Sequence, residues 1–251
     1  MPTPATTSAR SLRRALRILP LLALVVMATA AGECDITAPD GETEAAFDFS
    51  DGPQGWTAGF ADYRAGDEAL MELESDYRQL PSPLGPDSAL FISGRNTSDD
   101  LFMFFWRRLD GLEPNALYDV TFEVTIATDV PEGCGGVGGS PGESVYLKAG
   151  AAGVAPDTAP DALGILRLNI DHGNQANPGV NAVVMGTIEG STPCEAGTRP
   201  WELKSFTHSG QPLRVRANSQ GALWLVMGTD SGFEGTTSVF YTRYEATLER
   251  K

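Results

Sequence analysis

Residues 117–127 read LYDVTFEVTIA, and apolar and polar side chains alternate strictly through them. Tyr118, Val120, Phe122, Val124 and Ile126 share one face of an extended chain; Asp119, Thr121, Glu123 and Thr125 share the other. A period of two places the two sets on opposite sides of a pleated strand, whereas a helix would scatter both around its surface. One apolar and one polar face predict a half-buried antiparallel strand. Short runs of this kind recur at 45–50, 69–75, 88–93, 101–109, 144–149, 164–170, 181–189, 201–208, 212–217, 221–228 and 236–249. Gly, Pro, Asn and Asp separate them. No convincing helical periodicity and no internal repeat interrupt the series. The expectation is an all-β fold, an antiparallel β-sandwich of jelly-roll type, with two sheets packed face to face. LFMFFWRRL (101–109) is apolar on both faces at its start and is expected to be a central strand covered on both sides.

The N-terminus follows a different logic. Arg10, Arg13, Arg14 and Arg17 precede the apolar run from Ile18 to Val26, and the small residues Ala28-Thr29-Ala30 follow. This is the pattern of a secretory signal peptide over 1–33. The run is too short to cross ~30 Å of hydrocarbon. Cys34 follows Ala31-Gly32-Glu33, where a bacterial lipoprotein carries its lipidated first residue, although Glu33 departs from the usual small residue. A lipid on Cys34 and a free thiol both stay open. Residues 34–44 read as a tether and 45–251 as a single domain, long enough for a sizeable core. An exported chain with three cysteines has one left over. Cys134 and Cys194, both in glycine- and proline-rich loops, are expected to pair in an oxidising compartment, the periplasm or cell surface.

The chain carries 33 acidic and 18 basic residues, a net charge of −15. Loss of 1–33 would remove four arginines and one glutamate and leave it more acidic still. Such a surface repels nucleic acid, which is bound through Lys and Arg at phosphates. It also disfavours anionic membrane, so membrane contact is expected only through an N-terminal lipid. The two histidines, His172 and His208, are too few and too far apart for a catalytic zinc site. The glycines of 133–142 are followed by no Gly-Lys-Ser/Thr and make no phosphate loop.

The candidate sites lie in loops. NIDHGNQANPG (169–179) gathers Asp171, His172, Asn174 and Gln175 at a strand end, planar donors and acceptors suited to a hydroxyl-rich ligand. The alternative is an Asx-rich turn that satisfies its own backbone. GTDSGFEGTT (228–237) offers Asp230 and Glu234 as oxygen ligands for a structural calcium, or is simply a glycine-rich hairpin. Asp48 or Asp51 with Glu245 is a second calcium possibility if the first and last strands are neighbours. Trp106, Trp201, Trp224 and Tyr146 are either sugar platforms or core aromatics. Asp99 and Asp100 form an acidic pair before the 101–109 strand, but on a strand they would point to opposite faces. The loops 130–143, with six glycines and two prolines, and 150–163 are long enough to be functional or disordered.

FDFSDGPQGWTAG (47–59) resembles the opening of carbohydrate-binding-module and galactose-binding-like β-sandwiches, where a Phe-rich strand leads through an acidic-Gly turn to Gly-Trp. GLEPNALYDVTFEV (111–124) is similar to the turn-and-strand unit of the same domains. The resemblance implies that Pro114 and Asn115 form the turn, that Tyr118 packs inward and that Trp56 belongs to the core or an edge. DDLFMFFWRRLDGLEPNALYDVTFEV, GGSPGESVYLKAG, IDHGNQANPG and MGTDSGFEGTTSVFYTRYE resemble uncharacterised exported bacterial proteins and lipoproteins. The Tyr146-Leu147-Lys148-Ala149-Gly150 run is similar to a strand of some alginate lyases but lacks the Tyr and Gln that continue it. The expected function is non-enzymatic recognition of carbohydrate or another cell-envelope ligand. The alternatives are a glycan-active hydrolase or lyase working through carboxylates near Asp171 or Asp230, and a structural envelope lipoprotein without a small ligand.

Overall fold

The computed structural model describes residues 41–97 and 99–251. The expected signal peptide and Cys34 lie outside them. Fifteen strands follow one another: β1 (Glu42–Asp48), β2 (Thr57–Ala61), β3 (Tyr63–Arg64), β4 (Glu74–Gln79), β5 (Ser88–Arg95), β6 (Leu101–Leu109), β7 (Leu117–Thr128), β8 (Val145–Ala152), β9 (Thr158–Pro160), β10 (Ile165–Leu168), β11 (Ala182–Thr187), β12 (Glu202–Thr207), β13 (Leu213–Arg216), β14 (Leu223–Ser231) and β15 (Thr236–Arg250). Two short 3-10 turns, Phe49–Asp51 and Cys194–Ala196, are the only helical pieces among the described residues.

The strands form an antiparallel β-sandwich. One sheet runs β12-β7-β15-β5-β4, with β1 added to β15 and β13 to β7; the other runs β11-β8-β14-β6-β2. A small third sheet, β3-β10-β9, accompanies them. The alternation of β7 decides which way it faces: Tyr118, Val120, Phe122, Val124 and Ile126 are all buried between the sheets. Leu147, Ala149 and Ala151 of β8, and Leu225 and Met227 of β14, meet them from the other side. Strand β6 is covered on both faces, as its composition requires. Leu101, Met103 and Phe105 enter the main core, while Phe102 and Phe104 join Ile170 and Val226 in a second cluster on the sheet's outer face.

Trp56 is a core residue. It is 7% exposed and meets Tyr244 and Phe47 edge-to-face, with ring centroids 4.9 and 5.4 Å apart. Such pairs add to the burial of aromatic surface. The first and last strands are neighbours, with Phe47 opposite Tyr244. At the start of β7, Asn115 takes a positive φ in the turn, and the buried Tyr118 hydroxyl accepts from the Glu113 backbone N–H at 3.0 Å.

The strand expectations differ from the structure in several places, beginning with β3 and β9, which are not among the expected strands and join β10 in the third sheet, β9 lying inside the segment read as the loop 150–163. Strand β1 begins at Glu42, inside the segment read as the end of the tether. The run 69–75 is mostly turn; its apolar residues are anchors, with Met71 buried in the core, and β4 begins only at Glu74. Strand β2, TAGFA, carries little alternation because Gly59 lies against the Phe104 ring, where a Cβ would overlap the aromatic carbons.

Candidate functional site

Two regions concentrate polar chemistry. The first is a buried ion network on the outer face of β8, β14 and β6, beneath the loop that follows β10. Lys148 of β8 and Asp230 of β14 are 1% and 0% exposed. The Lys148 ammonium lies 3.0 Å from Asp230 Oδ2 and donates to the carbonyls of His172 (2.8 Å) and Asn177 (3.1 Å). Its three donors are thereby all used, which a buried ammonium requires. The Gln175 backbone N–H donates to Asp230 at 2.8 Å. Burial alone would raise the Asp230 carboxyl, but His172, Lys148 and the Gln175 N–H together hold it below its ordinary value.

His172 lies flat on the Phe102 ring, with centroids 4.1 Å apart and planes at 3°. Its Nε2 is 2.9 Å from Asp62 Oδ2, and its Nδ1 is 3.6 Å from Asp230, too long for a hydrogen bond. Burial opposes its charge; Asp230 and Asp62 outweigh burial and push its pKa up to about 9, so the ring is an imidazolium at neutral pH. Arg167 of β10 closes the network, donating to Asp62 at 2.6 Å and Asp100 at 3.0 Å. Asp62 and Asp100 thus share one guanidinium nitrogen, but Asp62 is buried and both its oxygens are engaged, so it presents no nucleophile. Burial raises the Asp100 carboxyl despite Arg167.

The polar groups of the expected ligand loop are engaged partly within the loop and partly with Asp99, Asp100 and Asp230. Asp171 accepts from the backbone N–H groups of Val180 and Gly173, which hold its carboxyl low. Asn174 donates to Asp100 at 2.9 Å, and the Gln175 amide donates to the Asp99 carbonyl at 2.9 Å. The structure therefore brings His172, Gln175 and Asp230 together, with Tyr146 opposite Asp230 on the neighbouring strand. A depression of about 250 Å³ remains between Arg167, His172 and Asn174.

The expected calcium pairing of Asp230 with Glu234 is not formed. Asp230 is buried against an ammonium, and Glu234 is exposed. Among the described residues no group of three or more His, Cys, Asp or Glu is arranged to hold a metal ion. Asp48 caps the turn at Ser50, and Glu245 pairs with Arg243.

The second region is a groove of about 460 Å³ at a corner of the larger sheet. Its origin is a difference in strand length. Phe240 of β15 pairs with Ala127 near the end of β7, while Thr236–Val239 pair only with β5. Beyond Thr128 the chain turns away, and the vacated side of β15 is filled by two loops. The disulfide Cys134–Cys194, with Cα atoms 5.2 Å apart, joins those loops, and the Cys194 N–H donates to the Glu132 carbonyl at 3.0 Å. The expected pairing is thus present. Asp129, Arg199, Trp201, Phe233, Thr236 and Ser238 line the groove together with both cysteines.

Trp201 stands edge-on against Phe240, centroids 5.2 Å apart at 85°, and is half-buried. Phe233 is also half-buried, and Asn96 holds its turn by donating to the Ser231 and Phe233 carbonyls. Burial raises the Asp129 carboxyl, partly offset by Arg199. Of the groove residues, the sequence reading singled out Trp201 and the cysteines. Asp129 and Arg199 sit in unremarkable loop contexts. Phe233 was legible as a large aromatic in a glycine-rich turn, where no strand would bury it. Of the other three aromatics considered, Trp106 packs half-buried on the second cluster, Trp224 lies under Arg108, and Tyr146 is on β8 away from the groove.

No protein-family model matches the sequence, and a search of curated proteins gives no match. Solved structures align with it at low identity. The chain is similar to the enzymatically active domain of bacteriophage CBA120 tailspike protein 4 (TM-score 0.35, 9% identity, 76% of this chain and 19% of that one). It thus spans about a fifth of that domain's length. It is also similar to a cleaved adhesin domain of Lys-gingipain from Porphyromonas gingivalis W83 (TM-score 0.36, 13% identity, 81% and 97% covered). A third is the carbohydrate-binding module TmCBM27, described for specific mannan recognition (TM-score 0.39, 15% identity, 84% and 99% covered). Likeness at this level carries nothing about site residues or ligand.

Proposed function

We propose that this protein is a non-enzymatic recognition domain that binds carbohydrate in the disulfide-pinned groove. The observation that carries the reading is the composition of that groove. Trp201 and Phe233 supply apolar ring surface, and Asp129, Arg199, Thr236 and Ser238 supply hydrogen-bonding groups around it. A pyranose is built the same way, with apolar C–H faces and a girdle of hydroxyls. The volume lies in the range of small-ligand sites, which combine aromatic walls with a few polar groups. The groove is tied by a covalent bond rather than left to a free loop, which lowers the cost of ordering it around a ligand.

Export forms part of the proposal. The disulfide supports it, because such bonds persist in oxidising compartments and are rare in the cytosol. A lipid on Cys34 would then hold the domain at a membrane surface. The ion network serves this function indirectly. It fixes the loop at 171–181 and β14, and the Gln175 side chain packs on Gly232, next to Phe233.

The test is a glycan microarray probed with the purified full-length chain and with Trp201→Ala. Binding by the parent chain and a loss of about tenfold or more in the variant is expected, since withdrawing a large apolar side chain from water is worth on the order of 1.5–3 kcal/mol. An array on which the parent chain binds nothing contradicts the reading.

A further inference from the structure

The groove's charge distribution indicates which carbohydrates it admits, an inference that rests on the groove being the saccharide site. We propose that it selects uncharged saccharides over uronic-acid and sulfated glycans, and that Asp129 is the selecting residue.

Asp129 leaves the end of β7 into the groove wall and is half-buried there. Among the described residues, no other side chain donates a hydrogen bond to its carboxylate, and no Lys or Arg lies within ion-pair distance. Its own backbone N–H is the donor set against it, and since a carboxylate offers about four acceptor positions, both oxygens keep room to accept. Two neighbouring sugar hydroxyls present two donors side by side and satisfy both. A uronate or sulfate group in the same place puts negative charge against negative charge, in a position that is half out of water.

The surroundings act in the same direction. Glu132, Glu195 and Glu234 are exposed and lie within two residues of groove-lining positions, and the whole chain is at −15. Arg199 is the one cation in the lining. Facing Asp129, it neutralises part of that carboxylate's field and offers donors to sugar oxygens, but it does not reverse the sign of the rim. A polyanionic chain approaching this corner meets a field that slows its association, and an uncharged chain does not.

The experiment is isothermal titration of the full-length chain with neutral polysaccharides (mannan, β-glucan, galactan) and acidic ones (alginate, polygalacturonate). It is run at about 0.15 M salt so that distant charges are screened and local ones dominate. It is repeated with Asp129→Asn, which keeps the shape and removes the charge. Thermal melts of both proteins are compared to show that the variant is folded. The expected result is binding of at least one neutral polymer, with the acidic polymers about tenfold weaker or more. In Asp129→Asn the neutral polymer weakens and the neutral-to-acidic ratio falls by about tenfold. Tighter binding of an acidic polymer overturns the inference and leaves the groove as a saccharide site. An unchanged ratio in folded Asp129→Asn also overturns it, by removing Asp129 as the selector. Binding of neither class removes the reading on which it rests.

Discussion

Lys148 and Asp230 form an ion pair 3.0 Å long with neither side chain exposed. Buried charge is costly unless paired and hydrogen-bonded; here the ammonium has three acceptors, while the carboxylate takes Lys148 and the Gln175 N–H at Oδ2 and has no hydrogen-bond partner at Oδ1. Lys148→Met removes one partner and strands the other. Urea unfolding should show a loss of about 3–5 kcal/mol for Lys148→Met or Asp230→Leu alone. The double replacement should cost less than the sum, because no charge is left uncompensated. Additive losses in the double variant would show that the two residues do not act as a pair.

His172 gives the fold a pH signature. Its folded pKa of about 9 lies above the ordinary histidine value of 6.5. The raised pKa means that its contribution is fully present below pH 6.5 and is lost as pH rises through 9. On the order of 3 kcal/mol is at stake for a shift of this size. Urea midpoints should therefore fall between about pH 6.5 and 9, and His172→Gln should flatten that part of the curve. A parent curve flat across this window would mean that His172 is not held as the imidazolium.

The disulfide closes a loop with a sequence separation of 60 residues. Chain-entropy reasoning assigns it about 4 kcal/mol, through restriction of the unfolded chain. Reduction, or Cys134→Ser with Cys194→Ser, should lower the melting temperature. It should also weaken saccharide binding before the sheets unfold, because both cysteines line the groove. Binding that survives reduction unchanged would show that the loops keep their shape without the bond.

Much of this architecture is legible in the sequence, and the reasons are physical. Strands β6 and β7 are long and carry their core residues at period two, so their extent and inward faces can be read directly; β15 breaks that period at a bulge between Tyr241 and Arg243, so Tyr241 and Tyr244 both enter the core while Phe240 joins a separate cluster. Trp56 and Tyr118 are flanked by turn residues that permit one packing direction. Strand β2 escapes because Gly59 makes room for Phe104, and a residue present to be small leaves no hydrophobic mark. The site is harder. His172 and Gln175 were marked by the density of polar groups in their loop. Their partners Asp62, Asp99, Lys148 and Asp230 lie far away in sequence, and only the tertiary fold brings them together. Asp230 reads as a cation ligand because its neutralising lysine lies on β8, with five strands between them in sequence, and only the β8–β14 pairing brings the two together. The groove is a consequence of β15 outrunning β7, and strand ends are the least legible feature of any β-sequence.

Chemical-shift mapping tests the central claim most directly. A saccharide identified on the array is titrated into isotopically labelled protein, and the Trp201 indole N–H and the backbone amides of 129–135, 194–201 and 233–238 are followed. The groove account predicts that these signals move together, with a common affinity, while the amides of 171–175 stay in place. Saturable shifts centred on 171–175, with Trp201 unmoved, would contradict it.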